Sequence, residues 1–304
     1  VRRARNAVTI GTIVCVDDQA EVRRLLGDVF RARGSNVVGF DDGEDAIKWL
    51  GTNEADLAVL DPVLSRLSLK VRWWQLGADS DLSFLGDPLL QQKLVAAKAQ
   101  LERYGQETHL GIPWRWINEL PPSSESSYDF VSLTSDPPLT GAEMAMHLSS
   151  QPRGKVRRFA DLPILSKSSY DLTTRSRDLV SRMIAARLGG AEATFLPDPF
   201  DPDRGILAAD GTPSDLFLPW RTAARALAGC EYLGQLRLPS GSTNYLFSRA
   251  GKGILIAWND RAVTEQLFLG DNVSQSDLWG RNRPRPVVDG AQKFPLGPIP
   301  SIIY

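Results

Sequence analysis

The feature that most constrains the fold of this chain is the alternation of short apolar runs with amphipathic helical stretches over its first sixty residues. Thr12 to Val16 reads as a strand, and Ala20 to Arg33 as a helix with Val22, Leu25, Leu26, Val29 and Phe30 on one face. Gly34 ends that helix in the usual C-terminal manner. Val37 to Phe40 reads as a second strand, Gly43 to Leu50 as a helix with Ala46, Ile47 and Leu50 inward, and Leu57 to Leu60 as a third strand. Strand, helix, strand, helix, strand is the pattern of a parallel sheet.

The rhythm continues. Asp61 to Leu69 reads as a helix carrying Val63, Leu64 and Leu67, and Pro88 to Tyr104 as a second with Leu90, Leu94, Ala97, Leu101 and Tyr104 on one side. Further strands are expected at Val71, His109 to Trp114, Tyr128 to Leu133, Leu162 to Leu165 and Ala193 to Leu196, with helices over Gly141 to Leu148 and Arg175 to Leu188. Three early strands and five later ones make eight, the number that closes a parallel barrel.

Within this series the stretch Lys70 to Phe84 stands out. Val71, Trp73, Trp74 and Leu76 suit a buried strand, and Gly77 then breaks it into a polar loop holding Asp79 and Asp81. Carboxylates just past the C-terminal end of a strand sit where the loops of an α/β barrel converge on one mouth. The other reading is a polar turn whose aspartates cap the next helix.

After Asp198 the chain changes character. A Pro-, Gly- and Asp-rich loop leads to a short helix over Arg221 to Ala228, and closely spaced short strands follow: Tyr245 to Ser248, Gly253 to Trp258, Gln266 to Leu269, Ser276 to Leu278, Gln292 to Leu296 and Ser301 to Tyr304. That spacing predicts a β-sandwich. The expected class is therefore α/β: a parallel (β/α)8-type barrel, complete or a hybrid with flavodoxin-like first βα units, followed by a small C-terminal β-sandwich. The boundaries are a βαβαβ segment over 1–61, a barrel portion over 62–229 and the sandwich over 230–304.

Composition narrows the partners. With 42% hydrophobic residues in 304, the chain can bury a sizeable core. A formal net charge of -1 gives no basic footprint for nucleic acid and no polybasic surface for a membrane. Cys15 and Cys230 offer neither a metal-ligand spacing nor a disulfide framework, and with only His109 and His147 a histidine-based metal site or catalytic triad is not expected. The basic, apolar start imitates a signal peptide, but Asp17 and Asp18 follow where small cleavage-site residues would stand. No run approaches the length of a transmembrane helix, so the cytoplasm is favoured. The first residue is Val, which suits a fragment or an alternative start.

Two resemblances supply functional readings. IVCVDDQAEVRRLLGDVFRARGSNVVGFDDGEDAIKWL followed by DLAVLD resembles the first half of a response-regulator receiver domain. The resemblance implies Asp61 as phosphoacceptor, with Asp17, Asp18 and Asp61 holding Mg2+ and a histidine kinase as partner. Clustered carboxylates bind a hard cation that offsets the incoming phosphoryl charge. The Thr and Lys of the later receiver strand ends are not found after Asp61, and the three aspartates also suit loop caps in a scaffold.

VRWWQLGADSDLSF, the helix after it and HLGIPW are similar to the fourth and fifth strand region of (β/α)8 glycoside hydrolases of the large retaining clan. There the family carries Asn-Glu, with Glu as acid/base; Ala78 and Asp79 occupy those positions. The family nucleophile is a Glu after the seventh strand, where LPILSKSSYD offers Ser166 and Lys167. Other carboxylates of the mouth, Glu119 and Asp136 above all and then Asp198 or Asp201, are the candidates to partner Asp79. Trp74, Trp114 and Trp116 are the candidate sugar platform. The substrate implied is an oligosaccharide or polysaccharide, cleaved or only bound, with no cofactor. NYLFSRAGKGILIAWND, FLGDNVSQSDLWGR and FPLGPIPSIIY are similar to the β domain that follows the barrel in many of these enzymes, with Trp258 and Trp279 as core or interface residues.

Overall fold

The computed structural model describes residues 12–16, 20–31, 36–41, 43–50, 52–53, 57–59, 71–79, 84–102, 107–118, 127–135, 137–150 and 155–304. They fall into two compact units, Val1–Trp74 with Leu89–Leu110, and Gln75–Pro88 with Gly111–Tyr304.

In the first unit β1 (Thr12–Val16) lies between β2 (Asn36–Phe40) and β3 (Leu57–Val59) and runs parallel to both. Helices α1 (Ala20–Arg31) and α2 (Gly43–Leu50) make the two connections. Val14 and Cys15 are consecutive and both buried, so both faces of β1 are covered, as a central parallel strand requires. Ala46 of α2 packs on Val14, and the Phe40 and Trp49 rings lie 6.0 Å apart at the margin of that cluster. Helix α3 (Leu90–Leu101) buries Leu90 and Leu94. The Trp73 ring stacks on His109 at 4.0 Å, and Arg72 pairs with Glu107 at 2.5 Å in the open.

A five-stranded sheet has the order β4 (Trp73–Gln75), β5 (His109–Arg115), β6 (Phe130–Thr134), β7 (Arg157–Asp161) and β8 (Ala193–Phe195), and β5 from Gly111 on and all of β6 to β8 belong to the second unit. Neighbours from β5 to β8 are parallel. The eight parallel strands expected from the sequence are thus divided into sheets of three and five. The strand expected over Leu162 to Leu165 is instead β7, which ends at Asp161. Pro163 has no N–H to give a neighbouring strand, so the ladder closes before it.

Side chains alternate between the two faces of this sheet. One face carries Pro113 and Arg115 of β5, Phe130, Ser132 and Thr134 of β6, Phe159 and Asp161 of β7, and Phe195 of β8, as the registers and the ring contacts Phe130–Phe159 (4.5 Å) and Phe159–Phe195 (5.5 Å) require. The Phe130 ring lies over Gly111, where a Cβ would meet it at 2.2 Å. The opposite face buries Ile112, Trp114, Val131, Leu133, Arg158 and Ala160.

Helices α4 (Gly141–Ser150), α5 (Leu172–Leu188) and α6 (Phe217–Leu227) follow the sequence closely. Thr140 and Glu143 cap α4 reciprocally: Glu143 Oε2 accepts from the Thr140 N–H (2.8 Å) and Thr140 Oγ1 from the Glu143 N–H (3.3 Å). Asp171 caps α5 by accepting from the Thr174 N–H at 2.6 Å, which starts that helix earlier than Arg175. Helix α6 likewise starts before Arg221, because Pro219 is tolerated in a first turn. Two arginines of α5 are buried and paired: Arg182 reaches the partly exposed Asp178 at 2.5 Å and Arg175 the exposed Asp215 at 2.8 Å.

The C-terminal strands are antiparallel. A six-stranded sheet runs β14 (Asn282–Pro284), β13 (Ser274–Ser276), β16 (Ser301–Ile303), β11 (Lys252–Trp258), β10 (Thr243–Arg249), β9 (Glu231–Gly234), and β12 (Val263–Leu267) pairs with β15 (Gln292–Leu296). Leu255, Ala257 and Ile303 from the first sheet and Phe294 and Leu296 from the second share one core with Leu238 and Val273. Glu265 of β12 is fully buried, and its carboxylate accepts from the Ser240 N–H (3.0 Å) and the Ser242 hydroxyl (2.5 Å). Among the described residues no helix is long and apolar enough to cross a membrane.

Candidate active site at the strand ends

The site begins with a proline. In β5 the Gly111 carbonyl accepts from the Leu76 N–H at 2.9 Å, joining β5 to the end of β4. Two residues on, Pro113 faces the same neighbour and has no N–H to offer, so the ladder stops and the chain after Gln75 is free to turn away. Gly77, at φ 88°, makes that turn in the left-handed region that a side chain resists. Gln75 fixes the result. Its amide donates to the Gly77 carbonyl (3.2 Å) and to Asp79 Oδ1 (2.6 Å), holding a half-buried carboxylate just past the strand end.

Three strands further along the sheet from β4, Asp161 ends β7. It is 3% exposed, and the Ser132 hydroxyl of β6 donates to its Oδ2 at 3.0 Å. One hydrogen bond from a neutral hydroxyl is thin compensation for a buried negative charge. Burial, and after it the charge of Asp79, push the Asp161 carboxyl from 3.8 up to about 7, against the downward pull of Ser132. The Asp79 charge is thus felt at Asp161. Phe195 stands beside Asp161 in the register of β8, with about half of its residue surface exposed.

This arrangement has the parts for acid and base chemistry on an oxygen-linked substrate: one carboxyl kept protonated by burial, a second carboxylate within electrostatic reach, and an exposed aromatic ring beside them. Among the described residues no group of three or more His, Cys, Asp or Glu side chains could hold a metal ion.

The sequence candidates are placed as follows. Asp79 lies at this strand end. Trp114 and Trp116 do not present a platform: Trp114 is 7% exposed on the helix-covered face, and Trp116 is 1% exposed, with its ring edge-on to His147 of α4 at 5.3 Å. Trp74 belongs to the first unit, where its indole N–H donates to the Val71 carbonyl at 3.1 Å. Glu119, Asp136, Asp17, Asp18 and Asp61 lie outside the described residues. His147 is neutral more readily than a free histidine, because burial and then the Arg158 charge lower its pKa.

Asp161 and Ser132 are the residues the sequence reading passed over. The signal was Pro163: reading β7 backward from it puts Asp161 at the strand end, on the same face as Phe159.

The sequence matches no family model and no curated protein. In fold the chain is similar to a family 39 glycoside hydrolase from the gut symbiont Bacteroides cellulosilyticus WH2, with a TM-score of 0.53 at 11% identity over 98% of this chain and 75% of that one. It is also similar to a family 30 endoxylanase from Clostridium papyrosolvens C71, with a TM-score of 0.51 at 11% identity over 97% of this chain and 96% of that one. The likeness to these glycoside hydrolases, at such identity, is one of fold.

Proposed function

We propose that the C-terminal edge of the five-stranded sheet cleaves a glycosidic bond, with Asp161 as proton donor and Asp79 as the second carboxylate. The observation that carries the reading is the Asp161 carboxyl: buried at a strand end, bonded to Ser132 and raised by burial and by Asp79. The similarity of fold to glycoside hydrolases supports a glycan as substrate. The five-stranded sheet is then the later part of a (β/α)8-type barrel, and the antiparallel sheets that share the Phe294 core are its sandwich appendage.

In this reading the protonated Asp161 delivers its proton to the leaving oxygen as the glycosidic bond breaks, and the anion left behind is the form that Ser132 supports. Asp79, oriented by Gln75, faces the positive charge that develops on the sugar ring and serves as nucleophile or as base for water. The exposed ring of Phe195 offers the apolar side of the sugar a surface to lie on. The sequence reading gives the proton to Asp79 by family position; the deeper burial of Asp161 favours the reverse assignment.

The test is hydrolysis of a panel of aryl glycosides and xylan-, glucan- and mannan-type polysaccharides by the wild type, Asp161→Asn and Asp79→Asn. Loss of a general acid lowers the rate by about 10²–10⁴ for poor leaving groups. Leaving groups that depart without a proton should be spared in Asp161→Asn and not in Asp79→Asn. Full activity of Asp161→Asn on poor leaving groups, or no hydrolysis of any substrate by the wild type, would sink the proposal.

A further inference from the structure

A second place in the same unit has the composition of a ligand site. Helices α4 and α5 pack side by side, and Gly141 at the start of α4 sits so close that a Cβ there would come within 3.0 Å of the Ser181 backbone. Against β10 and β11 the two helices leave a cleft of about 390 Å³, within the size range of small-molecule sites. One wall is aromatic. Tyr245 of β10 and Trp258 of β11 lie diagonally on one face of the hairpin, and their rings stack with centroids 5.8 Å apart and planes at 27°. The other wall is the face of α5 that carries Arg177, Asp178 and Ser181.

The charges of that wall are already balanced. Arg177 pairs with Asp260 at 2.5 Å, and Asp178 Oδ2 with Arg182 at 2.5 Å, so neither an anion nor a cation gains a free counter-charge in the cleft. Hydrogen-bonding capacity is left over. Asp178 Oδ1, the Ser181 hydroxyl and the Tyr245 hydroxyl have no protein partner among the described residues. An acceptor, two hydroxyls that donate or accept, and a flat apolar wall suit a ligand with vicinal hydroxyls on one side and C–H bonds on the other.

We propose that this cleft binds a neutral pyranose sugar, as a site separate from the carboxylate pair. Helix α4 covers the face of the sheet opposite Asp161, as the contact of its His147 with Trp116 shows, and neither Asp161 nor Asp79 lines the cleft. The sugar lies against the half-buried Tyr245 ring, which the buried Trp258 backs, while Asp178 Oδ1 accepts from adjacent hydroxyls and Ser181 and Tyr245 complete the set. Sugar binding here does not require Asp161 or Asp79 to hydrolyse anything.

The experiment is calorimetric titration of the full chain with the methyl glycosides of glucose, xylose, galactose and mannose. It is repeated on Asp161→Asn, Ser181→Phe and Tyr245→Phe, each checked for folding by circular dichroism. At least one sugar should bind the wild type and Asp161→Asn alike, fail to bind Ser181→Phe, whose ring fills the cleft, and bind Tyr245→Phe about three- to tenfold more weakly. If Ser181→Phe does not fold, Tyr245→Phe, which loses only a hydroxyl, decides. Binding lost in Asp161→Asn would place the sugar at the strand ends; that result, unchanged binding in Tyr245→Phe, or no binding of any of the four would overturn the proposal.

Discussion

Replacing Asp161 by asparagine should change how the stability of this protein depends on pH. The unfolded chain ionises the carboxyl near 3.8, and the folded chain holds it protonated up to about 7. That difference is roughly a thousandfold in proton affinity, or about 4 kcal/mol at 25 °C. Because the pKa is raised on folding, the native state binds more protons than the unfolded one across this window. The contribution is then fully present below pH 3.8 and is lost as pH rises through about 7. Asparagine is neutral at every pH and keeps an acceptor for Ser132. The two proteins should therefore differ least at pH 4 and diverge by roughly 1.4 kcal/mol per pH unit toward pH 7, and by pH 8 the wild type should be the less stable by an amount approaching 4 kcal/mol. Urea unfolding monitored by tryptophan fluorescence, at half-unit steps from pH 4 to 8, measures the difference. Parallel curves for the two proteins across the whole range would refute the assignment, since they would mean that Asp161 ionises in the folded protein as it does in the unfolded one.

Three further outcomes follow from the packing. Ser132→Ala removes the hydrogen bond that opposes the rise, so the titration midpoint of Asp161, followed by carboxyl NMR, should move upward; a downward shift would contradict the bond. Gly111→Ala drives a methyl into the Phe130 ring and should cost about 1–3 kcal/mol, partly recovered by Phe130→Leu in the same chain, as read by chemical denaturation. Glu265→Ala leaves the Ser240 N–H and the Ser242 hydroxyl without their buried acceptor and should cost about 2–5 kcal/mol, with Glu265→Gln recovering part; a neutral result would mean that the loop over residues 236–242 re-forms its bonds elsewhere.

The sequence carried the architecture where periodicity is strong and local. Strands and helices of the first fifty residues were legible because Val14, Cys15 and Ala46 sit in runs whose period matches the element they form. Helices α4 and α5 were legible from their apolar faces, and their starts only from the caps Thr140 and Asp171. Asp79 could be found because the break at Gly77 sits inside an aromatic strand. Asp161 could not be weighed, because nothing local separates a solvated aspartate from one that faces Ser132 on a neighbouring strand twenty-nine residues away. Trp114 and Trp116 misled for the related reason that a tryptophan near a strand end looks alike whether it faces the mouth or the helices. The division into sheets of three and five is a matter of long-range pairing, which the count of strands does not contain.

Among the described residues the ion pairs differ in how deeply they are buried, and this sets their response to ionic strength. In the first unit Arg31–Asp28, Lys48–Asp45 and Arg72–Glu107 all have side chains more than half exposed. Mobile ions reach them freely, and at about 1 M salt, where the screening length shrinks to about 3 Å, little of their attraction survives. In the second unit the arginines of the Arg182–Asp178 and Arg175–Asp215 pairs are 1% and 2% exposed. Asp178 is 19% exposed, so ions have little access to the Arg182–Asp178 pair and its attraction persists in brine, whereas Asp215, 40% exposed, leaves one side of the other pair open to them. Salt thus weakens the surface pairs of both units, Arg157–Glu192 and Arg177–Asp260 of the second among them, and leaves the Arg182–Asp178 pair in place.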